Sequence, residues 1–276
     1  MSLRKAKRMS KFFTGPTPRL VAHRGASGEA PENTLAAFQR AAALGVVYME
    51  LDVHLSRDGQ VVVMHDDTLE RTTNGHGLVK EHSVAELHGL DAGYHFTPDN
   101  GETFPFRGQG VTIPLLADVL RRFPHVRFTV EIKQQEPPIE EQVLAVVREC
   151  GMAETVILAS EHEAVVTRAR SLAPDIATNC AAAEVLAFMQ RVFSQQLGDY
   201  RPPGRAFQIP PDYEGVALVT PQTVAAIHDL GAEVHVWTVN DRHEMERLFE
   251  LDVDGIMSDF PGRLLELAHK RGAQTD

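Results

Sequence analysis

An alternation constrains this chain more than any other feature. Short β-branched runs recur along its 276 residues: Leu20 to His23, Val46 to Val53, Val61 to His65, Phe128 to Ile132, Val156 to Ser160, Phe207 to Pro210, Val234 to Val239 and Gly255 to Asp259. Between most of them the apolar residues repeat at helical spacing, as in Leu35, Phe38 and Ala42, in Leu116, Val119, Leu120 and Phe123, in Ile139, Val143, Val146 and Cys150, and in Val224, Ile227 and Leu230. Strand followed by helix, repeated to about eight, predicts an α/β fold of the TIM-type (β/α)8 class. Local punctuation agrees: Thr220-Pro221 supplies a cap and an N1 proline, while Gly231 and Gly45 stand just past helix ends.

Two stretches break the alternation. From Asp66 to Thr112 the chain is rich in Thr, Asn, Gly, Asp and Pro with few periodic apolar residues, which predicts a small insertion, or cap, at 66–112 after the third strand. The link from Asp52 to Val61 is too short for a parallel crossover and carries Asp58-Gly59, a hairpin turn signal, so the third strand is expected to run antiparallel to the second. Such pairing would bring His65 beside Asp52. The remaining boundaries predict a flexible basic tail at 1–18 and a barrel domain at 19–270.

Composition narrows the partners. With 38 acidic and 27 basic residues the formal net charge is −11, which repels polyanions and argues against nucleic acid. The one dense basic cluster, Arg4, Lys5, Lys7, Arg8 and Lys11, reads as a solvated tail. Cys150 and Cys180 are too few for a disulfide framework. The N-terminus lacks the apolar core of a secretory signal, since Phe12-Phe13 runs straight into Thr14-Gly15-Pro16, and no apolar stretch is long enough to span a bilayer. These features predict a cytoplasmic protein with no stable membrane insertion; they specify no oligomeric state.

Chemistry enters at the strand ends. His23, Arg24, Glu50, Asp52, His65, Glu131 and Lys133 each close an apolar run, where an unpaired charge would cost several kcal/mol, so mutual compensation around a metal and an anion is expected. Glu50 and Asp52 are two apart on a strand and point to one face. Their repulsion calls for a cation, and oxygen ligands suit a hard ion such as Mg²⁺ or Ca²⁺. Glu131 has the same character, with Lys133 on its face. His23 and His65 form an imidazole pair able to exchange acid and base roles at phosphorus, and Arg24 offers a planar fork to a phosphate oxygen beside the permissive Gly25. His82, His88, His95, His125 and His228 have no neighbouring motif.

These segments resemble a known family. His-Arg-Gly followed by Pro31-Glu32-Asn33-Thr34, then Glu-Leu-Asp-Val-His-Leu-Ser-Arg-Asp-Gly, Val-Val-Val-Met-His-Asp-Asp-Thr-Leu-Glu-Arg-Thr-Thr-Asn-Gly and the later Glu-Ile-Lys are similar to the glycerophosphodiester phosphodiesterases, over about Leu20 to Leu264. Leu158-Ala159-Ser160, Trp237-Thr238-Val239-Asn240 and Asp254 to Asp259 resemble that family's closing strands. The resemblance implies a TIM barrel with an insertion, a divalent ion on Glu50, Asp52 and Glu131, His23 and His65 as acid and base, and Arg24 and Lys133 on the phosphate. It implies hydrolysis of a small-molecule glycerophosphodiester to glycerol 3-phosphate and an alcohol, by attack of the substrate's own 2-hydroxyl or of water.

Other positions carry two readings each. Trp237 ends a strand and either walls the glycerol or alcohol pocket or packs in the core. Asn33 either reaches the site or caps a helix. Pro114-Leu115-Leu116-Ala117-Asp118 stands where the family commonly has Thr-Leu-Glu. The rival functions are a lysophospholipase D-like or sphingomyelinase D-like phosphodiesterase and, from another class, a noncatalytic phosphate-binding barrel.

Overall fold

A computed structural model describes residues 10–272. Along the chain run β1 (Arg19–Ala22), α1 (Leu35–Ala43), β2 (Tyr48–Leu55), β3 (Val61–Val63), α2 (Val84–His88), α3 (Leu116–Arg122), β4 (Arg127–Ile132), α4 (Glu140–Glu149), β5 (Val156–Ala159) and α5 (Glu163–Leu172). There follow β6 (Ala177–Thr178), α6 (Ala182–Phe193), β7 (Ala206–Ile209), the short pair β8 (Asp212–Tyr213) and β9 (Val216–Ala217), α7 (Pro221–Asp229), β10 (Glu233–Val236), α8 (Arg242–Glu250), β11 (Gly255–Ser258) and α9 (Pro261–Lys270).

Eight parallel strands lie in the order β6-β5-β4-β2-β1-β11-β10-β7. A parallel bridge from Asn179 to Ala206 completes the ring, with Cys180 N donating to Ala206 O at 2.8 Å and Arg205 N to Thr178 O at 2.8 Å. The expected TIM barrel is therefore present. Its outward-facing strand residues, Met49, Leu51 and Val53 among them, are 0% exposed beneath the helices, while the alternate residues Tyr48, Glu50, Asp52 and His54 point inward. The polar groups sit at the C-terminal end of that inward row.

The identity of one stave differs from the sequence reading. Val61–Val63 is antiparallel to β2, in the register Val53 opposite Val63 and Leu55 opposite Val61, so it is a hairpin arm outside the ring. The expected turn is there: Gly59 has φ +78° and its N–H bonds Ser56 O at 3.0 Å. The eighth stave is instead Ala177–Thr178, paired with Ile157 and Leu158. Two residues are too few to register as a hydrophobic run.

The N-terminal tail also needs correction. Arg4, Lys5, Lys7 and Arg8 lie outside the described residues, but Lys11–Phe13 forms a 3-10 turn docked on the barrel floor. Phe12 is 1% exposed and packs with Val21, Tyr48, Ile157, Ala206 and Met257. Phe12 N donates to Glu154 O at 3.1 Å and Ser10 Oγ to the same oxygen at 2.8 Å, because this backbone, buried on docking, needs partners. The segment 66–112 contains a 3-10 turn at Val79–Glu81 and one short α-helix, α2, started by a Ser83–Glu86 capping box, with an apolar cluster of Leu69, Val79, Leu87 and Ala92 packed on Val62, Met64 and Ile113. No helix among the described residues is long and apolar enough to cross a membrane.

Candidate active site

The period of two along β2 places Glu50 and Asp52 side by side inside the barrel mouth, 3% and 1% exposed. Parallel pairing sets Glu131 of β4 opposite Asp52. One ligand oxygen from each of the three lies within 4.8 Å of the others. Burial, reinforced by the charge of Asp52, lifts the Glu50 carboxyl to about 8, and the same two causes raise Glu131. Burial presses on Asp52 as well, yet Lys133, Arg24 and His65 outweigh it and hold Asp52 below the usual carboxylate range. Glu50 Oε1 and Asp52 Oδ1 are buried without a hydrogen bond among the described residues. Three converging carboxylates, two of them with a buried oxygen that makes no hydrogen bond among the described residues, fit a hard divalent cation.

His23 follows β1. Its Nδ1 lies 2.7 Å from Asp259 Oδ1, which also accepts from Ser27 Oγ at 2.8 Å, and Asn240 Nδ2 donates to Asp259 Oδ2 at 2.6 Å. Held this way, the ring points Nε2 at Glu50 Oε2, 3.9 Å away, and at Thr238 Oγ1, 3.5 Å away. Burial works against the imidazolium, but the Asp259 hydrogen bond and the Glu50 charge prevail, so His23 is more basic than a free histidine. Asp259, despite its own burial, is drawn down to about 2 by the His23 bond.

His65 lies just beyond β3, where Met64 N donates to Asp52 O at 2.9 Å and His54 Nε2 stands 3.0 Å from His65 O. Its Nδ1 is 2.6 Å from Asp66 Oδ1. Arg71 grips Asp66 at 2.6 and 3.0 Å and Glu32 at 2.7 and 2.8 Å, and Glu32 in turn takes Arg24 Nη1 at 2.9 Å. Burial opposes ionisation of Asp66, but Arg71 and His65 bring it to about 2. Each imidazole thus carries a carboxylate on Nδ1.

Arg24 differs from a free phosphate fork. At φ +54° its backbone N–H donates to Glu50 Oε2 at 2.9 Å and Nη1 donates to Glu32 Oε1 at 2.9 Å, while Nε, 3.2 Å from Asp52 Oδ2 in an ion pair, and Nη2 make no hydrogen bond among the described residues. Lys133 Nζ is 2.8 Å from Glu131 Oε1 and 3.3 Å from Asp52 Oδ1, and these anions overcome burial to raise its pKa. Asn33, at φ +57°, sends Nδ2 to Asp52 Oδ2 at 2.8 Å, so it reaches the site; it is not the helix cap, which is Thr34, whose side chain accepts from Ala37 N. Trp237 is 42% exposed after β10, beside Thr238, and is not core. Pro114 and Leu115 back β3, where Val63 N donates to Pro114 O at 2.9 Å.

The sequence profile of the Glycerophosphoryl diester phosphodiesterase family matches residues 23–263, from the first imidazole to α9. The chain belongs to that family. It is 34% identical over 262 residues to a glycerophosphodiester phosphodiesterase of Caldanaerobacter subterraneus, covering 92% of this chain and 98% of the relative, and 32% identical to one of Bacillus subtilis, covering 91% and 85%. Among solved structures it is similar to an Oleispira antarctica phosphodiesterase in complex with the product sn-glycerol-3-phosphate, with TM-score 0.71, 28% identity and coverage of 90% and 96%.

In this glycerophosphoryl diester phosphodiesterase, sequence reasoning assigned no role to Asp259, Asn240, Ser27, Asp66, Arg71 and Glu32. Glu32, Asp66 and Arg71 lie inside the motifs quoted for the resemblance, which is the only signal they gave. Asp259 and Asn240 also lie in such motifs, but the pairing of Asp259 with His23 across 236 positions is beyond the reach of any local pattern.

Proposed function

We propose that the chain hydrolyses glycerophosphodiesters to glycerol 3-phosphate and an alcohol, with His23 and His65 transferring the protons. The observation that carries this is the pair of carboxylate-anchored imidazoles on either side of one acidic trio: His23 Nε2 against Glu50, and His65 close enough for its charge to act on Asp52 and Glu131. Family membership and the product-bound Oleispira relative support the reaction class.

Glu50, Asp52 and Glu131 are the residues that would hold Mg²⁺ or Ca²⁺, which when bound supplies Lewis-acid polarisation of the phosphoryl oxygens. Arg24 Nη2 and Lys133 Nζ face the same mouth and neutralise phosphate charge as it develops. One imidazole accepts the proton of the attacking hydroxyl, from the substrate's glycerol or from water, and the other gives a proton to the departing alkoxide oxygen. Both routes consume one water overall, the first by opening a cyclic phosphate. Trp237, exposed beside Thr238, walls the glycerol or alcohol moiety. A cytoplasmic setting is part of the same reading, supported by Cys150 and Cys180 remaining unpaired thiols.

Replacing either imidazole tests the assignment. His23→Ala and His65→Ala are each expected to lower kcat by about 10² to 10⁴ with little loss of folding; near wild-type turnover in either variant would refute the proton-transfer role.

A further inference from the structure

A cavity of about 550 Å³ opens beside His65 and Lys133 and has no role in the chemistry above. Its lining includes His54, 3% exposed, the next inward-facing residue after Glu50 and Asp52 on β2. His54 Nε2 stands 3.0 Å from the His65 carbonyl oxygen, which can only accept. Nε2 therefore carries the hydrogen, and Nδ1 is left as an acceptor with no hydrogen bond among the described residues.

The rest of the lining is rich in acceptors. Asp66 is committed to His65 and Arg71, and Lys133 to Glu131 and Asp52. That leaves the carboxylates of Asp67, Glu136 and Glu161 against one ammonium, Lys80, which itself donates to the Glu136 carbonyl at 3.1 Å. Glu161 Oε1 stands 3.3 Å from His162 Nε2. Leu78 is the lone aliphatic residue of the lining, and none of the lining residues is Phe, Tyr or Trp.

We propose that this cavity receives the leaving alcohol of the diester and selects a small alcohol bearing a hydrogen-bond-donating ammonium group, of the ethanolamine kind. The inference rests on the hydrolase reading above. A primary ammonium satisfies the excess negative charge and donates to His54 Nδ1 and the carboxylates. A quaternary ammonium has no N–H and is held best by aromatic faces, which the lining lacks. A neutral polyol leaves the charge excess unanswered.

The test compares kcat/KM of the full chain, with Mg²⁺ or Ca²⁺ present, for glycerophosphoethanolamine, glycerophosphocholine and glycerophosphoglycerol. The ethanolamine ester is expected to lead each of the others by about fivefold. Its lead over glycerophosphoglycerol should shrink by about threefold in Asp67→Asn and in Glu161→Gln, and further in the double variant, in keeping with partly exposed ion pairs. Both residues are exposed, so the variants fold. Equal rates for the three esters, or a ratio that neither substitution moves, would overturn the headgroup assignment while leaving hydrolysis intact. No turnover of any of the three would overturn the hydrolase reading, and this inference with it.

Discussion

At the scale of residues, the site is a set of charges each made tolerable by its neighbours. The seven side chains that gather at the barrel mouth could be picked out because each closes an apolar run, where a charge needs a reason. The groups that orient them were not, because a hydrogen bond such as His23 to Asp259 leaves no periodic trace. That bond fixes which imidazole nitrogen faces Glu50, so its loss should act on turnover rather than on binding. Asp259→Asn is expected to lower kcat by about 10²-fold while KM stays within about threefold, as for other carboxylates that orient a catalytic imidazole. Steady-state kinetics at fixed metal concentration checks this, and an unchanged kcat would show the bond to be incidental.

At the scale of elements, the barrel mouth depends on close backbone approaches. Gly25, at φ +80°, lets the turn after β1 pass over α1, and a Cβ there would meet the Ala37 carbonyl carbon at 2.7 Å. Gly25→Ala is therefore expected to destabilise the fold by about 2 kcal/mol or more and to displace Arg24 and its bond to Glu50, read as a lower urea midpoint together with weaker divalent-ion binding. An unaltered midpoint would contradict that geometry. The β2–β3 hairpin was legible from Asp58-Gly59 and a link too short to cross over. The stave β6 was not, since two residues flanked by Asp175 and Asn179 give no run to read; its place is set by pairing with β5 and by the bridge to β7.

At the scale of the whole molecule, the barrel is closed at the floor by apolar packing and left polar at the mouth. Phe12 belongs to the floor, a role masked in the sequence by the basic residues around it. Phe12→Ala is expected to cost about 3 to 5 kcal/mol in urea unfolding and to leave kcat near wild type, because the cavity it creates lies at the opposite end of the strands from His23 and His65. A matching loss of kcat in the folded variant would show that floor and mouth are coupled. The (β/α)8 architecture itself was legible because alternation is a property of the entire chain, which one miscounted strand does not disturb.

A divalent cation at the mouth is the part of the proposed chemistry on which the rest depends. In the metal-free protein burial and the charge of Asp52 push the Glu50 carboxyl up to about 8, above its unfolded value, so the stability of its protonated form is complete at acid pH and is lost as pH rises toward 8. A bound cation replaces that proton, so the gain in melting temperature on adding Mg²⁺ or Ca²⁺ should grow from pH 6 to pH 8. The most direct measurement is turnover of a glycerophosphodiester by exhaustively chelated protein, before and after titration with Mg²⁺ or Ca²⁺, in the wild type and in Glu50→Gln, Asp52→Asn and Glu131→Gln. Activity should vanish on chelation, return at about one ion per chain in the wild type, and fail to return in the variants; full turnover in the chelated wild type would contradict the account.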